Sequence, residues 1–195
     1  MKVIETIYNG YRFRSRLEAR WAVFFDALGV EYQYEPEGYE LGDGIRYLPD
    51  FWLPKQNCWI EIKGEEPTPE EFNKGHRLAV LTEKNLYILS GGIRLPHEMY
   101  QYEGHYLCLG VWGWENKYDE NGDLSDETKE SLRRSISYSD NGQWWCECPH
   151  CHKIGIEYEG RAARLCKCSE GDRTHNADSP RLISAYIAAR QARFE

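Results

Sequence analysis

Apolar residues recur at Leu17, Trp21, Phe24, Phe25 and Leu28, three and four positions apart, the spacing that lines one stripe of a helix. Ser15 before the stripe offers an N-cap, and Gly29 after it a natural stop. The period then changes. Residues 30–35 read as a strand, 39–41 as a short extended piece, Gly42-Asp43-Gly44 as a turn and 47–53 as an aromatic-rich strand. Residues 54–57 turn the chain into a further strand at 58–64. Alternation there puts Trp59, Glu61 and Lys63 on one face and Cys58, Ile60 and Ile62 on the other, as in a sheet covered on both sides. Thr68-Pro69-Glu70-Glu71 opens a second helix through a capping box and an early proline, with Phe72, Ala79 and Val80 as apolar positions. Lys74 and His76 on that helix read as surface positions. Leu86 to Ser90 is the next strand, so the order is helix, three strands, helix, strand.

Beyond it, residues 105–114 read as a long apolar strand, 115–126 as an acidic loop and 154–160 as an alternating strand. Ser179-Pro180 caps a final helix whose Leu182, Ile183, Tyr186, Ile187 and Phe194 form an apolar face. That face is expected to dock on this chain or on a second copy, which leaves a homodimer open. The expected organisation is a core at 1–114, a linker at 115–142, and a small lobe with the final helix at 143–195.

Candidate chemistry enters at Pro49-Asp50 and Glu61-Ile62-Lys63. Two carboxylates held a few ångströms apart repel unless a cation separates them, and oxygen ligands favour magnesium or manganese. Lys63 beside such a site could position a water or stabilise a charged phosphorane. Taken singly, the fragments have plainer readings: Glu-x-Lys is a common surface ion pair and Pro-Asp a common turn. Glu18 adds a fourth candidate. Ser15 and Glu18 fit a capping box, but Glu18 also borders the face that packs on the sheet and could reach the metal. Arg12, Arg14, Arg16 and Arg20 surround it, giving residues 8–20 a net charge of +3. Arg12, Arg14 and Arg16 are candidate phosphate contacts, or else a solvated basic face.

The helix acid, Asp50, and Glu61 with Lys63, in this order of elements over residues 8 to 90, resemble the restriction-endonuclease-like PD-(D/E)xK nuclease superfamily. The resemblance implies an α/β fold, with a central mixed sheet flanked by helices, to which the C-terminal cysteines add a small zinc-binding lobe. It also implies metal-dependent cleavage of nucleic acid by Glu18, Asp50, Glu61 and Lys63, with Mg²⁺ or Mn²⁺ on Asp50 and Glu61. The layout looks like that of small phage-borne or mobile-element endonucleases acting on DNA, with RNA not excluded. The other reading keeps a nuclease-like core as a non-catalytic module that binds nucleic acid or protein.

Five of the seven cysteines fall between residues 146 and 168. Cys148-Pro149-His150-Cys151 is a CxxC knuckle, and Cys166-Lys167-Cys168 supplies a second, tighter pair. Four thiolates would select structural Zn²⁺ over a hard ion. Cys146, His150, His152 and His175 are alternatives for one ligand. Disulfides are the competing use of such a cluster. Met1 leads directly into Tyr8-Asn9-Gly10 without a signal segment or long apolar run, so a reducing cytoplasm and no membrane are expected. Cys58 and Cys108 lie in apolar strand patterns as buried thiols.

The composition, 41% hydrophobic and 14% aromatic over 195 residues, is enough for one core and an appended lobe. A net charge of −8 argues against broad coating of DNA, so any nucleic-acid contact needs a localised basic surface. Residues 160–195, at +3, could supply one next to the cysteines.

Overall fold

A computed structural model describes residues 4–96, 106–109 and 143–194. The expected acidic loop and linker at 115–142 lie outside the described residues, and the expected strand at 105–114 is described only at Tyr106–Leu109.

The chain opens with a hairpin, β1 (Thr6–Tyr8) and β2 (Tyr11–Phe13), turned at Asn9-Gly10 with φ of 46° and 82°. Helix α1 (Arg16–Leu28) follows. Ser15 caps its start by accepting from the Glu18 N–H, and Gly29 ends it at φ 65°. Next come β3 (Gln33–Tyr34), the small hairpin of β4 (Tyr39–Glu40) and β5 (Arg46–Tyr47), then β6 (Phe51–Leu53) and β7 (Cys58–Lys63). Helix α2 (Pro69–Thr82) carries the full capping box between Thr68 and Glu71. It leads into β8 (Asn85–Ser90), which pairs with β9 (Tyr106–Leu109).

Strands β3, β6, β7, β8 and β9 form one mixed sheet in that order. β7 and β8 are parallel with α2 crossing between them, and the other neighbours are antiparallel. The architecture is thus mixed α/β, with helices flanking a central mixed sheet. The expected strand at 47–53 is broken, because Leu48, Pro49 and Asp50 separate β5 from β6 and Pro49 has no N–H to give a ladder. The strand expected at 30–35 shrinks to Gln33–Tyr34.

Both sheet faces are covered, as the alternation in β7 predicts. Cys58, Ile60 and Ile62 join Phe51, Leu53, Tyr87 and Leu89 under α1, whereas Trp59, Leu86 and Ile88 pack under α2 with Phe72, Leu78 and Ala79. His76 departs from expectation. It is 1% exposed, since Phe72, Gly75, His76 and Ala79 follow helical spacing on the buried side of α2. Lys74 pairs with Glu70 at 2.8 Å.

The C-terminal segment contributes the hairpin of β10 (Gln143–Glu147) and β11 (Ile154–Tyr158), two short 3₁₀ turns and helix α3 (Pro180–Gln191). α3 packs on α1: Phe24 meets Tyr186 at 4.6 Å and Trp145 at 5.5 Å between ring centres. Trp145 and Tyr186 therefore belong to the same buried cluster as α1 and the sheet. Buried Glu147 ties the two parts further, accepting from the Ser179 hydroxyl at 2.5 Å and the Arg181 guanidinium at 3.3 Å. Arg181 also donates to the Leu28 carbonyl that closes α1.

Candidate functional site

Asp50 sits one residue before β6, where the pairing of Phe51 with Ile60 would bring it opposite Glu61. Its carboxylate Oδ2 accepts the Ile62 N–H at 2.7 Å, doing for β7 what a backbone carbonyl does within the ladder. Its own N–H points to Glu61 Oε2 at 3.4 Å, and its carbonyl accepts from the Glu35 N–H at 2.8 Å. Asp50 is 5% exposed and Glu61 4%, so both carboxylates are withdrawn from water. Burial, with the charges of Glu61 and Glu18 behind it, holds the Asp50 carboxyl well above the usual carboxylate range.

Glu18 is also buried, and in place of the expected capping-box bond to the Ser15 N–H its carboxylate takes other partners. One oxygen accepts from the Ser15 hydroxyl at 2.6 Å, while the other accepts from the Tyr34 hydroxyl at 2.6 Å and the Arg14 N–H at 3.1 Å. Helix and sheet are thereby joined through one carboxylate.

Lys63 lies at the end of β7 on the same face as Glu61. Its ammonium is 3.0 Å from Glu61 Oε1 and 3.0 Å from Glu71 Oε1. Burial works against the lysine charge, but the two carboxylates outweigh it and raise its pKa. Glu71 was legible only as a capping residue, yet it is the second anchor of Lys63. Tyr47 also belongs here: burial, then the charge and hydrogen bond of Glu61, push its hydroxyl far above its ordinary value. No sequence signal marks Tyr34 or Tyr47, because their partners are set by the tertiary fold.

Of the three arginines, Arg14 alone reaches this site. Its guanidinium pairs with Glu35 and stands 3.7 Å from Asp50 Oδ1. Burial opposes its charge, but bonding to Tyr34 and the charges of Glu35 and Asp50 raise its pKa overall. Arg12 pairs with Glu5 at 3.4 Å on the surface, and Arg16 is exposed on the first turn of α1.

The cysteines form a second centre. The sulfurs of Cys148, Cys151, Cys166 and Cys168 all lie within 4.8 Å of one another, the tightest pair being Cys166 and Cys168 at 3.0 Å. A tetrahedral ion with bonds of about 2.3 Å wants sulfurs about 3.8 Å apart. The spacing therefore fits a metal ion. The N–H groups of His150 and Cys151 point at the Cys148 sulfur from 3.4 and 3.5 Å, as donors that would stabilise a thiolate. Hydrogen bonding to Cys166, Cys151 and Cys148 pushes the Cys168 thiol up to about 12, and a bound cation would take the place of that proton. Cys146 is buried beside Cys148 and Ala162 without joining the four, and the six cysteines described are free thiols. Among the described residues, these four are the one group of three or more metal-type ligands drawn that close.

No protein-family model, curated protein or solved structure matches this chain. No described helix is long and apolar enough to cross a membrane.

Proposed function

We propose that this protein is a metal-dependent endonuclease of the PD-(D/E)xK type acting on DNA, with a zinc-stabilised C-terminal lobe. The observation that carries the reading is the burial of Asp50 between Glu61 and Glu18, a cost in charge repulsion that a hard cation would offset. Asp50 and Glu61 are the residues to hold Mg²⁺ or Mn²⁺, which supplies a lowered pKa for a bound water and neutralises phosphate charge. Lys63, kept cationic by Glu61 and Glu71, orients that water and stabilises the negative transition state. Glu18 serves as an outer ligand or water partner, held by Tyr34. Arg14, over half exposed, reaches from Asp50 toward solvent, where a phosphate could meet it.

Zn²⁺ is the ion we assign to the four cysteines, on ligand softness and spacing, in a reducing cytoplasm. That cluster favours a second reading, because its ligands converge more tightly than the carboxylates do: a non-catalytic module that binds nucleic acid or protein through the lobe.

Cleavage separates the two. Wild type with Mg²⁺ or Mn²⁺ is expected to cut at least one of a panel of linear, nicked, branched and single-stranded DNAs, with RNA as a further arm. Lys63→Ala and Asp50→Ala should each lose about 100-fold or more of that rate while keeping the native circular dichroism. Failure of wild type on the whole panel defeats the enzyme. Titration calorimetry then adjudicates: Mg²⁺ binding that vanishes in Asp50→Ala supports the carboxylate site, and its absence from wild type supports the module.

A further inference from the structure

A cleft of about 490 Å³ opens beside the carboxylates, lined by Gly38, Tyr39, Glu40, Arg46, Tyr47 and Leu48. Its floor is the β4–β5 hairpin, in which Tyr39 pairs directly with Tyr47 and Glu40 with Arg46. The hairpin is braced from below. Tyr39 stands edge-on to Trp59 at 5.6 Å, Trp59 packs on Trp52 at 4.6 Å, and Arg77 of α2 holds the Leu41 carbonyl at 3.2 Å and Asp43 at 2.9 Å. Leu48, 37% exposed, faces water at the edge of the cleft despite being a large apolar side chain.

Tyr47 belongs to both places, lining the cleft while its hydroxyl is hydrogen-bonded to Glu61. Whatever fills the cleft is therefore a direct neighbour of whatever Glu61 handles. Two tyrosines and a leucine suit a flat apolar group, and Arg46 and Glu40 at the rim offer a donor and an acceptor to its edge. An ion pair of 3.7 Å with the Arg46 side chain 90% exposed is weak enough to re-form onto such a ligand. A phosphate would be a poor occupant, since Glu40 offsets Arg46 in the lining and Glu37, bonded to the Tyr39 hydroxyl, adds a further negative charge.

We propose that this cleft binds one unpaired nucleobase next to the phosphate presented to Asp50 and Glu61, so that the protein's substrate is single-stranded or locally unpaired nucleic acid. The proposal rests on the nuclease reading for its geometry. A base inside a duplex is stacked on both faces and cannot enter a cleft walled by Tyr39 and Leu48, whereas a free or extruded base can stack there.

The test uses the full-length protein with Ca²⁺ in place of Mg²⁺ and an oligonucleotide carrying 2-aminopurine, single-stranded or annealed to its complement. Expected is quenching of the single strand by wild type, binding at least about tenfold tighter than to the duplex, and a loss of about tenfold or more in Tyr39→Ala. Leu48→Asp, on an exposed side chain, guards against misfolding of the tyrosine variant and should show the same loss. Equal affinity for single strand and duplex, or a Leu48→Asp variant that binds the single strand as wild type does, overturns the proposal. The nuclease reading fails separately, by absence of cleavage across the substrate panel, and single-strand binding sensitive to Leu48→Asp would still uphold the base site on a non-catalytic module.

Discussion

Asp50 shows how one residue can carry both a structural bond and an unfavourably buried charge. Its Oδ2 completes the edge of β7 through Ile62, and an asparagine oxygen in the same place could accept that N–H equally well. What asparagine removes is the negative charge pressed against Glu61 and Glu18. Asp50→Asn is therefore expected to raise the thermal midpoint in EDTA, by about 2–4 °C for each kcal/mol of repulsion relieved, while Mg²⁺ binding disappears from calorimetry. A lowered midpoint would mean that the carboxylate is needed for folding rather than for a cation. The identities of Asp50, Glu61 and Lys63 as a set were legible, because strand alternation and the turn at 54–57 place them locally. Tyr34 as the partner of Glu18 was not, since sixteen residues and a change of element separate them.

At the scale of elements, the start of α2 does more than begin a helix. Thr68 fixes Glu71 through the capping box, and Glu71 in turn anchors Lys63. Thr68→Ala should cost about 0.5–2 kcal/mol by urea unfolding and loosen that anchor. Burial acts to raise the Glu71 carboxyl, but bonding to Thr68 and Lys63 prevails and lowers it. A depressed carboxylate contributes stability above its unfolded value, lost as pH falls through the folded one. Glutamine keeps the cap but not the charge, so the deficit of Glu71→Gln relative to wild type should be present at pH 7 and shrink below about pH 4. No deficit at pH 7 would assign Glu71 to capping alone. The helices themselves were readable from their caps and stripes. His76 was misplaced because helical spacing alone does not say how wide a face the sheet will cover.

For the molecule as a whole, the decisive contact is between α1 and α3. Phe24, Trp145 and Tyr186 place the cysteine lobe and the sheet around one apolar interior, with Glu147 and Arg181 as polar ties. Metal removed from the four cysteines should therefore be felt throughout. With a strong zinc chelator, thermal unfolding followed by circular dichroism is expected to remain one transition at a lower midpoint. A second, separate transition would show a lobe that melts by itself. Inside the C-terminal segment Gly160 allows a close approach: at φ 60° an added Cβ would come within 2.9 Å of Ala177 and 3.4 Å of Trp144.

The sequence by itself determined the three helices, the two faces of β7, the two cysteine pairs and the candidacy of Asp50, Glu61 and Lys63. All of these follow from neighbours a few residues away, where periodicity, capping and knuckle spacing act. Only the tertiary structure decided that α3 covers α1, that Glu71 and Tyr34 hold the site, that Arg14 alone of three arginines reaches it, and that a cleft adjoins Glu61. Those depend on surfaces of different elements meeting, across 8 residues between Lys63 and Glu71 and 153 between Leu28 and Arg181, and no local pattern encodes such a meeting.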